Sequence, residues 1–410
     1  MHGWVASMHL KLSTCVVLLT LFSACERELD IFQEKSGFSA TIFTQFRGGP
    51  AHNGVSPTGV SPNHKYQLRW KSEPMAIGHY LASKSSPTVD DDNVYVGMDD
   101  GVLRALNRRT GKLVWSVATH SFYTEQERDG DTHFGIHGTP AVDDRYVYIG
   151  DYDGYLYAID KQDGTLVWER KLGDSIGASP TIYGEYIYMA VEYATMDGRI
   201  FAVNAENGET RWKSPLLGAH AHSSVTLDMD NRLMFVGANN GKLYCFAMDT
   251  GTQRWVYAAE GEIKSTAAVA DGAVFATAFD MQLHAVSVDD GSALFTVQMD
   301  DVSLSSPAVF ENSVVFGSHD SRLVSVDDST GEIQWTFDTD APILSSATII
   351  ANDGSVVFGS RDSHLYILYP DGRLFQKIEV ASGISSVPAV LENEIYVSDN
   401  SGTVYGFVSD

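Results

Sequence analysis

Ser305-Ser306-Pro307-Ala308-Val309, Ser313-Val314-Val315-Phe316-Gly317, Arg322-Leu323-Val324-Ser325-Val326 and Gly331-Glu332-Ile333-Gln334-Trp335 follow one another with only polar turns between them. Each run is short, apolar at alternate positions and bounded by Gly, Asp or Ser, the pattern of consecutive antiparallel strands. The unit recurs. Its first strand is marked by a small residue, often a proline, and an apolar residue: Ser86-Pro87-Thr88-Val89, Thr139 to Val142, Ser179 to Ile182, Ser224 to Leu227, Thr266 to Val269, Ser306 to Val309, Ser346 to Ile349 and Val387 to Val390. Consecutive copies are separated by 53, 40, 45, 42, 40, 40 and 41 residues. A period near 40 with β alternation predicts a propeller, and proline is tolerated at a strand's start because its missing donor costs little there.

The fourth strand of each unit opens on a turn glycine and ends on an aromatic residue: Trp115, Trp168, Trp212, Trp255, Phe295 and Trp335. A lone tryptophan could be a ligand platform, but one repeat position filled this way around the ring predicts packing between blades. Blade seven departs, with Gly372 and Phe375 one residue out of register. Blade eight ends at Phe407 without a fourth strand, and Tyr66-Gln67-Leu68-Arg69-Trp70 carries the missing pattern. The prediction is therefore an all-β, eight-bladed propeller of four-stranded blades, with the N-terminal strand completing the last blade and removing both open edges. Trp70 joins the expected packing series.

Ahead of the ring, Lys11 precedes a mostly apolar run from Ser13 to Phe22, too short to span a bilayer as a helix and suited to the core of a signal peptide. Phe22-Ser23-Ala24-Cys25 resembles a bacterial lipobox, in which the cysteine is acylated. The expected organisation is a lipoprotein signal peptide over 1–24, a lipidated tether and lead-in over 25–65, and the propeller over 66–410. Glu26 rather than aspartate after Cys25 favours, by the same resemblance, the outer membrane facing the periplasm. With Cys15 removed and Cys25 acylated, Cys245 is left without a disulfide partner.

The formal net charge is −25, from 53 acidic and 28 basic residues, which handicaps nucleic acid and anionic lipid headgroups as partners. Histidines gather before inner strands: His79, His133, His137, His220 and His222. They are expected at the funnel rim as ligand or partner contacts, or as solvated loop residues. No metal site is expected, because histidines from different blades stand far apart and an ion needs three or four ligands at about 2 Å. Insertions at 118–137 and at Glu192 to Asp197 are expected on the same rim, which makes that face the default binding surface. Nucleophile elbows, phosphate loops and dinucleotide fingerprints are absent, and the Asp-Gly turns do not continue into calcium-loop spacing.

The Ser-Pro-x-Val, Val-Tyr-x-Gly, Asp-Gly-x-Leu-x-Ala and Gly-x-x-x-Trp series resembles the quinoprotein alcohol dehydrogenase-like propeller, or PQQ-like repeat, from about residue 46 to the end. One branch of that family binds pyrroloquinoline quinone and calcium on the ring axis and commonly carries an adjacent cysteine pair, which this chain lacks. The nearest branch is the BamB-type lipoprotein of outer-membrane β-barrel assembly. That resemblance implies a non-enzymatic, lipid-anchored periplasmic scaffold for envelope proteins, with neither quinone nor calcium as cofactor. The alternatives are a quinone-dependent or carbohydrate-active enzyme using the funnel, or a module that binds polysaccharide or a small ligand.

Overall fold

The computed structural model describes residues 43–59, 65–75, 85–122 and 135–409. Residues Thr41–Asp410 form one compact unit of eight sheets, each built on an antiparallel meander; in six of them the four strands are consecutive in sequence, and the other two also take a strand from the N-terminal part of the chain. Blade one is Thr88–Val89, Asn93–Gly97, Val102–Asn107 and Leu113–Ala118. Blade eight is Ala389–Leu391, Glu394–Ser398 and Val404–Val408, completed by Gln67–Lys71 with Trp70 opposite Gly406. The closing strand is thus where the sequence placed it. Second strands such as Tyr146–Gly150 are buried throughout, whereas outer strands such as Ile333–Asp338 alternate exposed and half-buried. Burial on both faces explains the apolar runs of the former.

Each outer strand's aromatic ring lies on the turn glycine of the next blade: Trp70 on Gly111, Trp115 on Gly164, Trp168 on Gly208, Trp212 on Gly251, Trp255 on Gly291, Phe295 on Gly331 and Trp335 on Gly372. These glycines have positive φ, and a Cβ on any of them would come within about 3.0 Å of the ring. Glycine is therefore needed there both for conformation and for close approach. The indole N–H groups donate to backbone carbonyls of the following blade at 2.8–3.1 Å, as Trp70 does to Arg108 and Trp212 to Met248. Small residues face the aromatics across the sheet: Ala105 opposite Trp115, Ala158 opposite Trp168 and Cys245 opposite Trp255. Buried Cys245 is one of this series, and burial pushes its thiol up to about 12.

Blade seven breaks both halves of the pattern. A bulge between Ile367 and Leu368 brings Gln376, not Phe375, into the aromatic register, opposite Ile367. Gln376 accepts the N–H of Tyr66 at 2.8 Å and donates to its carbonyl at 2.9 Å. The following blade has no turn glycine to cover, because its outer strand arrives from the N-terminus. An amide that grips the backbone entering that strand replaces the ring. On the other side of the closing strand, Glu394 binds Arg69 and Arg108 and accepts the Tyr396 hydroxyl at 2.6 Å.

The lead-in extends the propeller beyond the expected boundary at residue 66. Phe43 to Gly59 runs around the inner edge of the ring and meets the blades in order. The N–H groups of Val89, Val142, Leu227, Val269, Val309 and Ile349 donate to the carbonyls of Phe43, Thr44, Pro50, Ala51, Asn53 and Gly54. Ile182 donates to the side chain of Gln45 at 3.0 Å, and the carbonyl of Val390 accepts the Ser56 hydroxyl at 2.8 Å. Val55–Ser56 pairs in parallel with Thr348–Ile350 as a fifth strand of blade seven. The apolar residues that end the eight repeat signatures are the ones this segment contacts.

Candidate functional site

The residues that open those signatures form a second ring. The Ser86 N–H donates to Thr139 Oγ1, Thr139 to Ser179, Ser179 to Ser224, Ser224 to Thr266, Thr266 to Ser306 and Ser306 to Ser346, all at 2.9–3.1 Å. The Val387 N–H then donates to Ser86 Oγ at 2.9 Å, so the collar is interrupted only where Val387 offers no hydroxyl to Ser346. Ser or Thr is required there because a short hydroxyl reaches the neighbouring blade's backbone and satisfies a buried donor.

The collar lines a cavity of about 210 Å³ together with Phe46 of the lead-in and His137, Tyr152, His222, Lys264, Leu304 and Leu344. His137 packs against the Tyr152 ring at 4.4 Å between centroids. Lys264 pairs with Glu262 at 2.6 Å and lies over the Phe279 ring. Of the predicted rim residues, His137 and His222 do line this cavity, and His220 stands beside His222 with ring centroids 6.0 Å apart. His79, His133 and Cys25 fall outside the described residues.

The lead-in also carries two buried basic side chains. Arg47 is fully buried and donates to the Pro307 carbonyl, while its Nε and Nη1 have no hydrogen-bond partner among the described residues. Burial lowers its pKa to about 9. His52 is also fully buried, with Nδ1 2.8 Å from the Phe46 carbonyl and Nε2 3.0 Å from the Thr181 hydroxyl. Nε2 also lies 3.1 Å from the Val225 carbonyl, which accepts the Thr181 hydroxyl at 2.7 Å, so each ring nitrogen faces a carbonyl and a neutral ring, with one N–H, can donate to only one of them. Burial above all, with Arg47 adding to it, pushes its pKa down to about 4.

Sequence reasoning missed Glu192. The hairpin of blade three is longer than its counterparts, Tyr186–Tyr193 against Asp197–Asn204, and Glu192 sits near its tip, opposite Gly198 and bridged to Ser175. Its side chain is buried, with Oε2 accepting from Ser175 at 3.1 Å. His222 Nδ1 lies 2.8 Å from Oε1, and His220 Nδ1 lies 4.0 Å from Oε2. Burial opposes ionisation of this carboxyl, but the two histidines and Ser175 outweigh it and hold it below the usual range. His220 and His222 share a side because they stand two apart in an extended segment, which sends Ala221 into the core. The available signal was one acid in the otherwise apolar run Tyr-Ile-Tyr-Met-Ala-Val-Glu-Tyr.

The chain is 28% identical to outer membrane protein assembly factor BamB of Legionella pneumophila over 42% of each chain. It is 25% identical to the Escherichia coli protein of the same name over 50% of this chain and 53% of the relative. It thus spans about half the length of the curated relatives it matches. Among solved structures, BamB from Moraxella catarrhalis superposes with a TM-score of 0.65 at 19% identity, over 84% of this chain and all of that one. A quinohemoprotein alcohol dehydrogenase from Comamonas testosteroni gives a TM-score of 0.71 at 14% identity, over 90% of this chain and 80% of the other, a likeness of fold alone. The PQQ_2 family model, described as outer membrane protein assembly factor BamB, matches residues 67–133, 125–214, 196–336 and 319–409, and the chain belongs to that family.

Proposed function

We propose that this protein is a lipid-anchored scaffold of the bacterial envelope, held at Cys25 in the outer membrane and facing the periplasm, that binds proteins of outer-membrane β-barrel assembly. The observation that carries this reading is the family match, which follows the ring from residue 67 to residue 409. The architecture supports it. The cavity that Phe46 helps to line is about 210 Å³, below the roughly 300–1,000 Å³ of most small-molecule sites. A broad rim of loops on a rigid ring is better suited to a protein partner, and the acidic surface favours basic contacts.

Affinity isolation of the full-length anchored protein from gently solubilised envelopes tests the proposal. Near-stoichiometric recovery of β-barrel assembly proteins is expected, and recovery of a lone monomer overturns it. Cys25→Ser is expected to move the protein from the membrane fraction to the soluble fraction.

A further inference from the structure

The carboxylate of Glu192 and the imidazoles of His220 and His222 offer ligand atoms that all lie within 4.8 Å of one another. From this geometry we propose that Glu192, His220 and His222 form a zinc-type divalent metal site on the funnel rim, with a coordination position left open towards the cavity.

The hydrogen bonding around the cluster fits that assignment. His220 Nε2 is 2.9 Å from the Tyr193 carbonyl, so Nε2 carries the proton and donates. In the neutral ring the Nδ1 lone pair then faces Glu192 Oε2 at 4.0 Å. A lone pair facing a carboxylate is repulsive unless a proton or a metal cation sits between them. A backbone carbonyl that fixes the far nitrogen is the usual outer partner of a metal-binding histidine. Glu192 Oε1 accepts no hydrogen bond of good geometry, although His222 Nδ1 lies 2.8 Å from it. Ligand atoms around tetrahedral zinc stand about 3.3 Å apart, given bonds of about 2.0–2.1 Å. The contacts of 2.8 and 4.0 Å run to different oxygens of Glu192, and one atom from each residue gives separations within 4.8 Å, so side-chain rotations that draw the three atoms together complete the triangle.

The backbone is already held in place. Glu192 exchanges hydrogen bonds with Ser175, and the His220 carbonyl accepts the Asn239 N–H at 2.9 Å. Two histidines and one carboxylate suit zinc and its neighbours in the transition series rather than calcium or magnesium. The cluster does not need histidines of different blades: His220 and His222 both precede blade four, and the long hairpin of blade three delivers Glu192 to them.

The test is titration of chelator-stripped, full-length protein with Zn²⁺ and Co²⁺. One saturable equivalent is expected, with visible Co²⁺ bands of a low-coordinate N/O site and a metal-dependent rise in Tm. His222→Ala and Glu192→Gln are expected to weaken binding by more than about 100-fold, beyond what loss of an outer partner produces. His319→Ala, on another blade, leaves it unchanged. Many weak equivalents that survive His222→Ala, as adventitious binding to the acidic surface would give, overturn the proposal, as does no saturable binding. If Glu192→Gln fails to fold, the half-exposed His222→Ala decides the outcome.

Discussion

At the outer edge of the ring, Trp168 lies on Gly208 of the next blade, and the same contact recurs from Trp70 on Gly111 to Trp335 on Gly372. At the inner edge the blades also meet one common partner, six of them through its backbone carbonyls, as Val89 does through Phe43, and two through its side chains, Ile182 through Gln45 and Val390 through the Ser56 hydroxyl. The belt repeats a single apolar solution. The inner segment is a single copy that answers a repeated demand, because every inner strand presents backbone groups that a buried position requires to be paired. Repetition therefore stabilises neighbours, whereas the unrepeated segment links all blades to one another.

The strongest way to break the comparison is to remove the inner segment. A protein lacking residues up to 59 loses partners for the N–H groups of Val89, Val142, Ile182, Leu227, Val269, Val309 and Ile349. At roughly 1 kcal/mol net per hydrogen bond, with the burial of Phe43 added, the loss in urea denaturation is expected to exceed about 5 kcal/mol. Unchanged stability would mean that water replaces the segment without cost. At the belt, Trp168→Ala is expected to cost about 3–5 kcal/mol, and Trp335→Ala, whose ring is half-buried, about 2. Equal losses at the two sites would show that exposure does not grade the belt.

The buried imidazole of His52 separates the two regions by pH. Its pKa in the fold, about 4, lies below the ordinary 6.5 that the unfolded chain keeps. The unfolded state therefore binds the proton first, so the contribution is intact above pH 6.5 and is lost as pH falls towards and through 4. The loss amounts to about 3 kcal/mol when complete. His52→Gln is expected to remove that part of the pH dependence in denaturation curves, while Trp168→Ala leaves it in place. The smallest effect belongs to the closure: Gln376→Ala deletes both bonds to Tyr66 and is expected to cost about 1–2 kcal/mol.

How much could be read in advance follows the same division. The blades, their number and the closing strand were legible because the demands of the repeat fall on residue type: glycine under an indole, a short hydroxyl in the collar, an apolar residue at Val89 and its counterparts. The path of Phe43 to Gly59 was not, since most of its contacts use backbone carbonyls, which any residue carries. Only its turn glycines and Pro50 marked it as ordered. At the candidate site, the positions of His137 and His222 followed from their place before inner strands. Glu192 did not, because it comes within reach of His220 and His222 only through a hairpin whose extra length looks in sequence like a loop insertion.

The inner segment also acts as a tape measure. Its contact points from Phe43 to Ser56 are spaced to a circumference of eight blades, met in the order in which the chain makes them. A chain that gained or lost one blade by repeat duplication or deletion could still pack each aromatic ring on a neighbouring glycine, but the segment would run out of partners or of carbonyls. The count of blades is thus written twice, once in the repeats and once in residues that lie outside them. Since the segment is synthesised first and can dock fully only when the last blade is present, its closure reports that the ring is complete.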